Sequence, residues 1–143
     1  MFRTGAAASF VLFIASCVNP PDYSTIPEIE FDSISTTFAR VQQDSITFFI
    51  SFTDGDGDLG SETTPNLFFL DSRTGYTDSL KVPNLTPDGN VKAITGVISY
   101  TRSSFSCIPG RDFDTLYYTI YMEDRARNKS NLVVTPEIRL QCQ

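Results

Sequence analysis

From residue 28 onward, apolar and polar residues alternate over short runs, and no stretch carries the spacing of an amphipathic helix. SITFFISFT (45–53) is the clearest case. Ile46, Phe48, Ile50 and Phe52 fall on one face, and Ser45, Thr47, Ser51 and Thr53 on the other. EIEFDSI (28–34) sets Ile29 and Phe31 against Glu28, Glu30 and Asp32. DTLYYTIYME (114–123) groups Leu116, Tyr118, Ile120 and Met122 inward and leaves Tyr117, Thr119 and Tyr121 outward. In NLVVTPEIRLQC (131–142), Leu132, Val134, Ile138 and Leu140 share a face, with Pro136 marking an edge or a kink. NLFFLD (66–71) reads as a short apolar strand and DSLKVP (78–83) as an edge strand ended by Pro83. VKAITGVISYT (91–101) reads as a long strand in which Gly96 signals a bulge or a close approach. NLTPDGN (84–90) is a turn cluster between them.

About seven strands, with turn signals every eight to fifteen residues, predict an all-β fold, an antiparallel β-sandwich. Two segments refine this. Asp114-Thr-Leu116-Tyr-Tyr118-Thr-Ile120 resembles the D-x-A-x-Y-x-C run on strand F of immunoglobulin-like domains. The resemblance implies that Tyr118 is the corner tyrosine, with its hydroxyl bonded to backbone. An ordinary inward tyrosine is the alternative, and both bury it. The turn Asp124-Arg125-Ala126-Arg127-Asn128-Lys129-Ser130-Asn131 resembles the D-x-A-G-N-x-S turn between the last two strands of many bacterial immunoglobulin-like domains. Arg127 stands where those domains have glycine, which puts the turn geometry in question, because a side chain is strained at positive φ. Together with FTDGDGDLG (52–60), the pattern is similar to small lipoproteins of Bacteroidetes-type bacteria. It implies an immunoglobulin-like or fibronectin type III-like sandwich over residues 28–143. In that topology the DGDGD loop and the Asp124 turn share one end, and Cys107 and Cys142 the other.

Residues 1–16 stand outside this pattern. MFRT carries the positive Arg3, and GAAASFVLFIA is a short apolar run. Ile14-Ala15-Ser16-Cys17 resembles the lipobox of bacterial lipoproteins, which implies a signal peptide cleaved before Cys17 and lipid on that cysteine; an ordinary secretory signal with Cys17 as a chance residue is the alternative. Residues 17–27 are then the lipidated cysteine and an extended, proline-rich tether of about 3 Å per residue, roughly 30 Å in all. Val18-Asn19-Pro20 has no aspartate after the cysteine and no acidic export run. That favours the periplasmic face of the outer membrane over the cell surface.

Composition narrows the function classes. Seventeen acidic against eleven basic residues give a net charge of −6, and loss of Arg3 makes the mature chain more negative. Such a domain lacks an electrostatic footprint for nucleic acid. The absence of histidine removes Ser-His-Asp and Cys-His catalysis and histidine-ligated zinc. Two carboxylates across a cleft would suit a glycosidase, but a small sandwich offers little cleft. The expectation is a protein without catalytic residues. In an exported chain Cys107 and Cys142 read first as a disulfide, with free thiols as the alternative.

Asp54, Asp56 and Asp58 carry the candidate chemistry. Three carboxylates within five residues repel one another, and a hard cation such as calcium relieves that. The first positions resemble D-x-D-x-D of EF-hand-type loops, but Leu59 occupies the required glycine position and Pro65 that of the bidentate glutamate, so no EF-hand forms. Glu62 and Asp124 are candidates to complete a calcium site. A solvated acidic turn is the alternative. Tyr117 and Tyr121 are candidate sugar-stacking residues, or simply cross-strand packing. Arg125, Arg127 and Lys129 form a basic turn that would dock an anionic partner or pair with the DGDGD carboxylates. Ser33, Ser45, Ser79 and Thr115 each follow aspartate and precede an aliphatic residue, which resembles an O-glycosylation pattern of Bacteroidetes-type bacteria. Two functions follow from these residues. One is a non-catalytic cell-envelope lipoprotein serving as a binding or structural module. The other is a calcium-dependent recognition domain for an envelope glycan or protein.

Overall fold

The computed structural model of the chain describes residues 21–86 and 92–142. The expected signal peptide, the expected lipidation at Cys17 and the first part of the expected tether lie outside them.

The described residues form ten strands and no helix. They are β1 (Glu28–Ile34), β2 (Phe38–Arg40), β3 (Ile46–Asp54), β4 (Leu67–Asp71), β5 (Thr77–Leu80), β6 (Ile94–Arg102), β7 (Phe113–Leu116), β8 (Tyr118–Met122), β9 (Val133–Val134) and β10 (Ile138–Gln141). Three open sheets result, in the orders β1-β3-β6, β2-β10-β7 and β5-β4-β8-β9. Every pairing is antiparallel except that of β2 with β10. The all-β expectation holds, and the arrangement is compatible with a β-sandwich. Phe48 of β3 meets Phe69 of β4 at 5.3 Å and Tyr118 of β8 at 5.9 Å, ring centre to ring centre and edge-on, so the first and third sheets share an aromatic core.

Ten strands replace the expected seven for two physical reasons. β2 is too short to show an alternation. The other reason is that two long runs are each broken. Within 114–123 the break falls at Tyr117, whose N–H donates to Ser72 Oγ and whose carbonyl accepts from Ser72 N. Tyr118 N–H donates to Thr135 Oγ1 instead of to a strand backbone. The partner run breaks at Thr135–Glu137, where Pro136 has no N–H to offer. That break shifts the alternation and corrects one expectation. Ile138 and Leu140 are fully buried, whereas Leu132 and Val134 are exposed and Val133 packs against the core. Gly96 is not a bulge. The β3–β6 register runs unbroken past it, and a Cβ there would press on the Phe52 ring at 3.1 Å. The bulge lies instead in β1, between Phe31 and Ser33. Tyr118 is buried as expected, but among the described residues its hydroxyl makes no hydrogen bond, so the corner bond is absent.

The strictest alternation has a consequence at its end. The inward row of β3 runs Ile46, Phe48, Ile50, Phe52 and then Asp54. Likewise Leu67 and Phe69 of β4 are followed inward by Asp71, and β7 sets Asp114 beside Leu116. Three rows of core residues therefore terminate in buried carboxylates.

Candidate functional site

Asp54 is completely buried because it sits on the core-facing parity of β3. The chain then turns sharply. Leu59 is itself a fully buried core residue, and its N–H reaches back to Asp54 Oδ2 at 3.0 Å. That is why an apolar residue stands where an EF-hand needs glycine. The left-handed position falls one residue later, at Gly60 with φ 93°, where a Cβ would run into the Pro83 carbonyl.

Asp54, Asp56 and Asp58 each bring a carboxylate oxygen within 4.8 Å of the others. An ion holding oxygens at about 2.4 Å reaches donors up to about 4.8 Å apart, so one calcium ion fits among them. Oδ1 of Asp54 and Oδ1 of Asp58 are both buried without a hydrogen-bond partner. Asp56 is exposed and opens the cluster to solvent. Burial pushes the Asp54 carboxyl up to about 6 against the opposing N–H of Leu59, and the charges of Asp56 and Asp58 add to the rise. Asp58 is raised too, by burial first and then by the charges of Asp124 and Asp56.

Asp124 faces this loop, as the topology predicts. Arg125 N–H donates to the Asp58 carbonyl, and Ala126 N–H to Asp58 Oδ2 at 3.2 Å. Asp124 does not join the cluster, however. Its two oxygens accept from Asn128 N and Asn128 Nδ2, each at 2.8 Å, and so close its own turn. Glu62 is also placed elsewhere, its Oε1 accepting from Asn84 N at 3.0 Å. The structure thus brings together three of the five candidate ligands. Arg127 adopts φ 72°, in the left-handed region that favours glycine, and the turn closes around it nonetheless.

Among the described residues no basic side chain forms an ion pair with the carboxylate cluster, although the charge of Arg125 opposes the rise at Asp58. Arg125 donates to the Gly60 carbonyl and to Asn84 Oδ1, and Arg127 pairs with Glu123 at 3.6 Å. Lys129 lies 3.6 Å from the centre of the Tyr121 ring. The tyrosine pair separates as well. Tyr121 stacks on Phe68 at 4.7 Å, the packing alternative, while Tyr117 is exposed at the strand break. Ser33, Ser45, Ser79 and Thr115 are all exposed.

The opposite end carries the bridge. Cys107 and Cys142 are joined, with Cα atoms 5.9 Å apart. Beside them is a network that the sequence reading missed. Asp114 accepts from Arg73 Nη1 at 2.7 Å, Arg111 Nη1 at 3.0 Å, and the N–H groups of Ile108 and Thr115. Arg73 also binds Asp71 at 2.7 Å. Burial pushes both carboxyls up, but these donors outweigh it and hold both below their usual range. The signal was present in D-S-R-T-G (71–75), where an aspartate bonds the backbone two residues on. A cleft of about 310 Å³ opens beside the network, between Tyr76, Arg102 and Tyr118, and Arg102 is paired with Asp78. No family model, curated protein or solved structure matches the chain significantly.

Proposed function

We propose that the protein is a non-catalytic envelope module, an immunoglobulin-like or fibronectin type III-like sandwich carried on lipid at Cys17, whose acidic end binds calcium. The observation that carries the calcium reading is the fully buried Asp54. One of its oxygens has no partner, and its carboxylate clusters with those of Asp56 and Asp58 within 4.8 Å. A buried polar group without a partner is costly, and a buried charge more so. At the other end of the same molecule a buried aspartate is met by arginines. At Asp54 an external cation takes that place.

Strand order supports the immunoglobulin-like reading. Sheet β1-β3-β6 faces β5-β4-β8, and β2 runs parallel to the last strand, β10. The lack of histidine and the internal pairing of the cleft's charged residues favour binding over catalysis. The exported compartment is supported by the disulfide. The unknown partner is an envelope protein or glycan.

Thermal unfolding in millimolar calcium and in chelator tests the site. A ligand bound only by the folded state stabilises it by about 2.7 kcal/mol at a hundredfold excess over Kd. In a domain of this size that raises Tm by roughly 5 °C or more. Identical melting in calcium and chelator would sink the metal reading.

A further inference from the structure

The acidic loop is gripped from two sides, and one grip comes from the segment that leads in from the N-terminus. Gly55 stands between Asp54 and Asp56. Its N–H donates to the Ser24 carbonyl at 2.7 Å. A Cβ at this position would collide with the Tyr23 carbonyl oxygen and lie 2.8 Å from that of Ser24. Gly55 is not in the left-handed region, so close approach alone requires glycine here. On its other side the Gly55 carbonyl accepts from Ala93 N at 3.0 Å. The second grip is the Arg125–Ala126 backbone on Asp58. Beyond Ser24 the segment is fixed to the sandwich, for Pro27 is buried and the Asn131 side chain bonds both Ile29 N and Ile29 O at 2.8 Å.

We propose that the cation site is also the clasp of this segment. Filling the site draws Asp54, Asp56 and Asp58 together and presents Gly55 to Tyr23–Ser24. Emptying it lets the carboxylates repel, opens the loop and releases the segment. The inference rests on the calcium reading above and adds what the site regulates, namely the stiffness of the link between the N-terminal side and the sandwich. With calcium bound, Tyr23 and Ser24 are held against the acidic loop. Without it, residues 21–24 come away from the acidic loop, while Pro27 and Ile29 stay anchored.

The chain contains no tryptophan, so Tyr23→Trp in the full chain gives a single reporter. Calorimetry with calcium chloride reads binding, and tryptophan anisotropy reads docking. Anisotropy is expected to rise with calcium, at the calorimetric midpoint, and to return with chelator. Adding Gly55→Ala should keep calcium binding within about tenfold yet leave anisotropy flat, since the methyl group fills the seat. Asp56→Asn, at an exposed position, covers the case where Gly55→Ala fails to fold. It should move both midpoints together to about tenfold higher calcium, as loss of ligand charge weakens the site. Calcium binding with no anisotropy response overturns the clasp and leaves the calcium site standing. A shift of the calorimetric midpoint alone does the same. Absence of calorimetric binding overturns both.

Discussion

The two ends of this all-β domain bury carboxylates in the same way and neutralise them differently. Asp114 is 3 % exposed and Asp54 is 0 % exposed, and each continues a row of core residues on its strand. Asp114 receives two arginines and two backbone N–H groups. Asp54 receives one N–H and keeps a bare oxygen beside two more carboxylates. An arginine is near the second end as well, but Arg125 donates to the Gly60 carbonyl and Asn84 rather than to a carboxylate. A fixed internal cation makes one end a permanent structural lock, reinforced by the Cys107–Cys142 bridge. The other end has no such partner and keeps a buried carboxylate oxygen unbonded in a cluster that could hold a metal ion.

The same isosteric change should therefore act with opposite sign at the two ends. Asp114→Asn removes the charge that faces Arg73, whose side chain is only 9 % exposed. Breaking a buried pair in this way costs about 3 kcal/mol or more, with or without calcium. Asp54→Asn in chelator removes an unpaired buried charge. It should leave stability unchanged or raise it by about 1 to 2 kcal/mol, since the lost charge had no partner. It should also abolish the calcium response. Urea unfolding of both variants, each in calcium and in chelator, checks this. If Asp54→Asn destabilises the calcium-free protein as Asp114→Asn does, the contrast between the ends is wrong.

Acid titration separates the ends next. The Asp54 carboxyl is raised from 3.8 to about 6, so its charged form is disfavoured by folding. Its penalty is absent below about pH 3.8, grows as pH rises through 6 and levels off above it, at no more than about 3 kcal/mol. Asp71 and Asp114 are lowered below 3.8. Their contribution is fully present above that value and is lost as pH falls through their folded-state range. In chelator, stability should fall between pH 4 and 7, and calcium should remove that fall. Below pH 4, stability should fall with or without calcium. Calcium-free stability that rises from pH 4 to 7 would contradict the assignment at Asp54.

Much of this contrast was legible in the residue pattern. Alternation in 45–53 gave the inward row of β3 correctly, and one further step of two would have placed Asp54 in the core. The DGDGD run pointed to a metal, and proximity in the same loop pointed to Glu62 as a further ligand, but Glu62 instead bonds Asn84 N. The facing turn was predictable from topology, whereas the closure of Asp124 on Asn128 was not. Turn-internal hydrogen bonds compete with a ligand role over distances that no spacing rule resolves. The clasp by Tyr23 and Ser24 was invisible because its contacts are backbone atoms, and a proline-rich run reads as spacer whatever it touches. The strand breaks escaped for a similar reason, since a Ser72 hydroxyl taking the Tyr117 N–H leaves no mark on side-chain alternation.

The smallest expected effect concerns the turn that faces the acidic loop. Arg127 holds φ 72°, where a side chain costs roughly 1 to 2 kcal/mol relative to the right-handed region. Its guanidinium recovers little, because the pair with Glu123 is 3.6 Å long and the Arg127 side chain is 72 % exposed. The turn is held by Arg127 N to the Asp124 carbonyl and by the two bonds from Asn128, none of which needs the arginine side chain. Arg127→Gly should therefore stabilise the fold by about 0.5 to 1 kcal/mol, after allowing for the greater freedom of glycine in the unfolded chain. That amounts to a few degrees in Tm. The change leaves Asp58 and its contact with Ala126 N in place, so the calcium-induced shift in Tm should stay the same. If Arg127→Gly lowers Tm, the side chain and not the backbone sets this turn. If it weakens the calcium response, the turn takes part in the cation site, and the line drawn between the Asp54 cluster and Asp124 has to move.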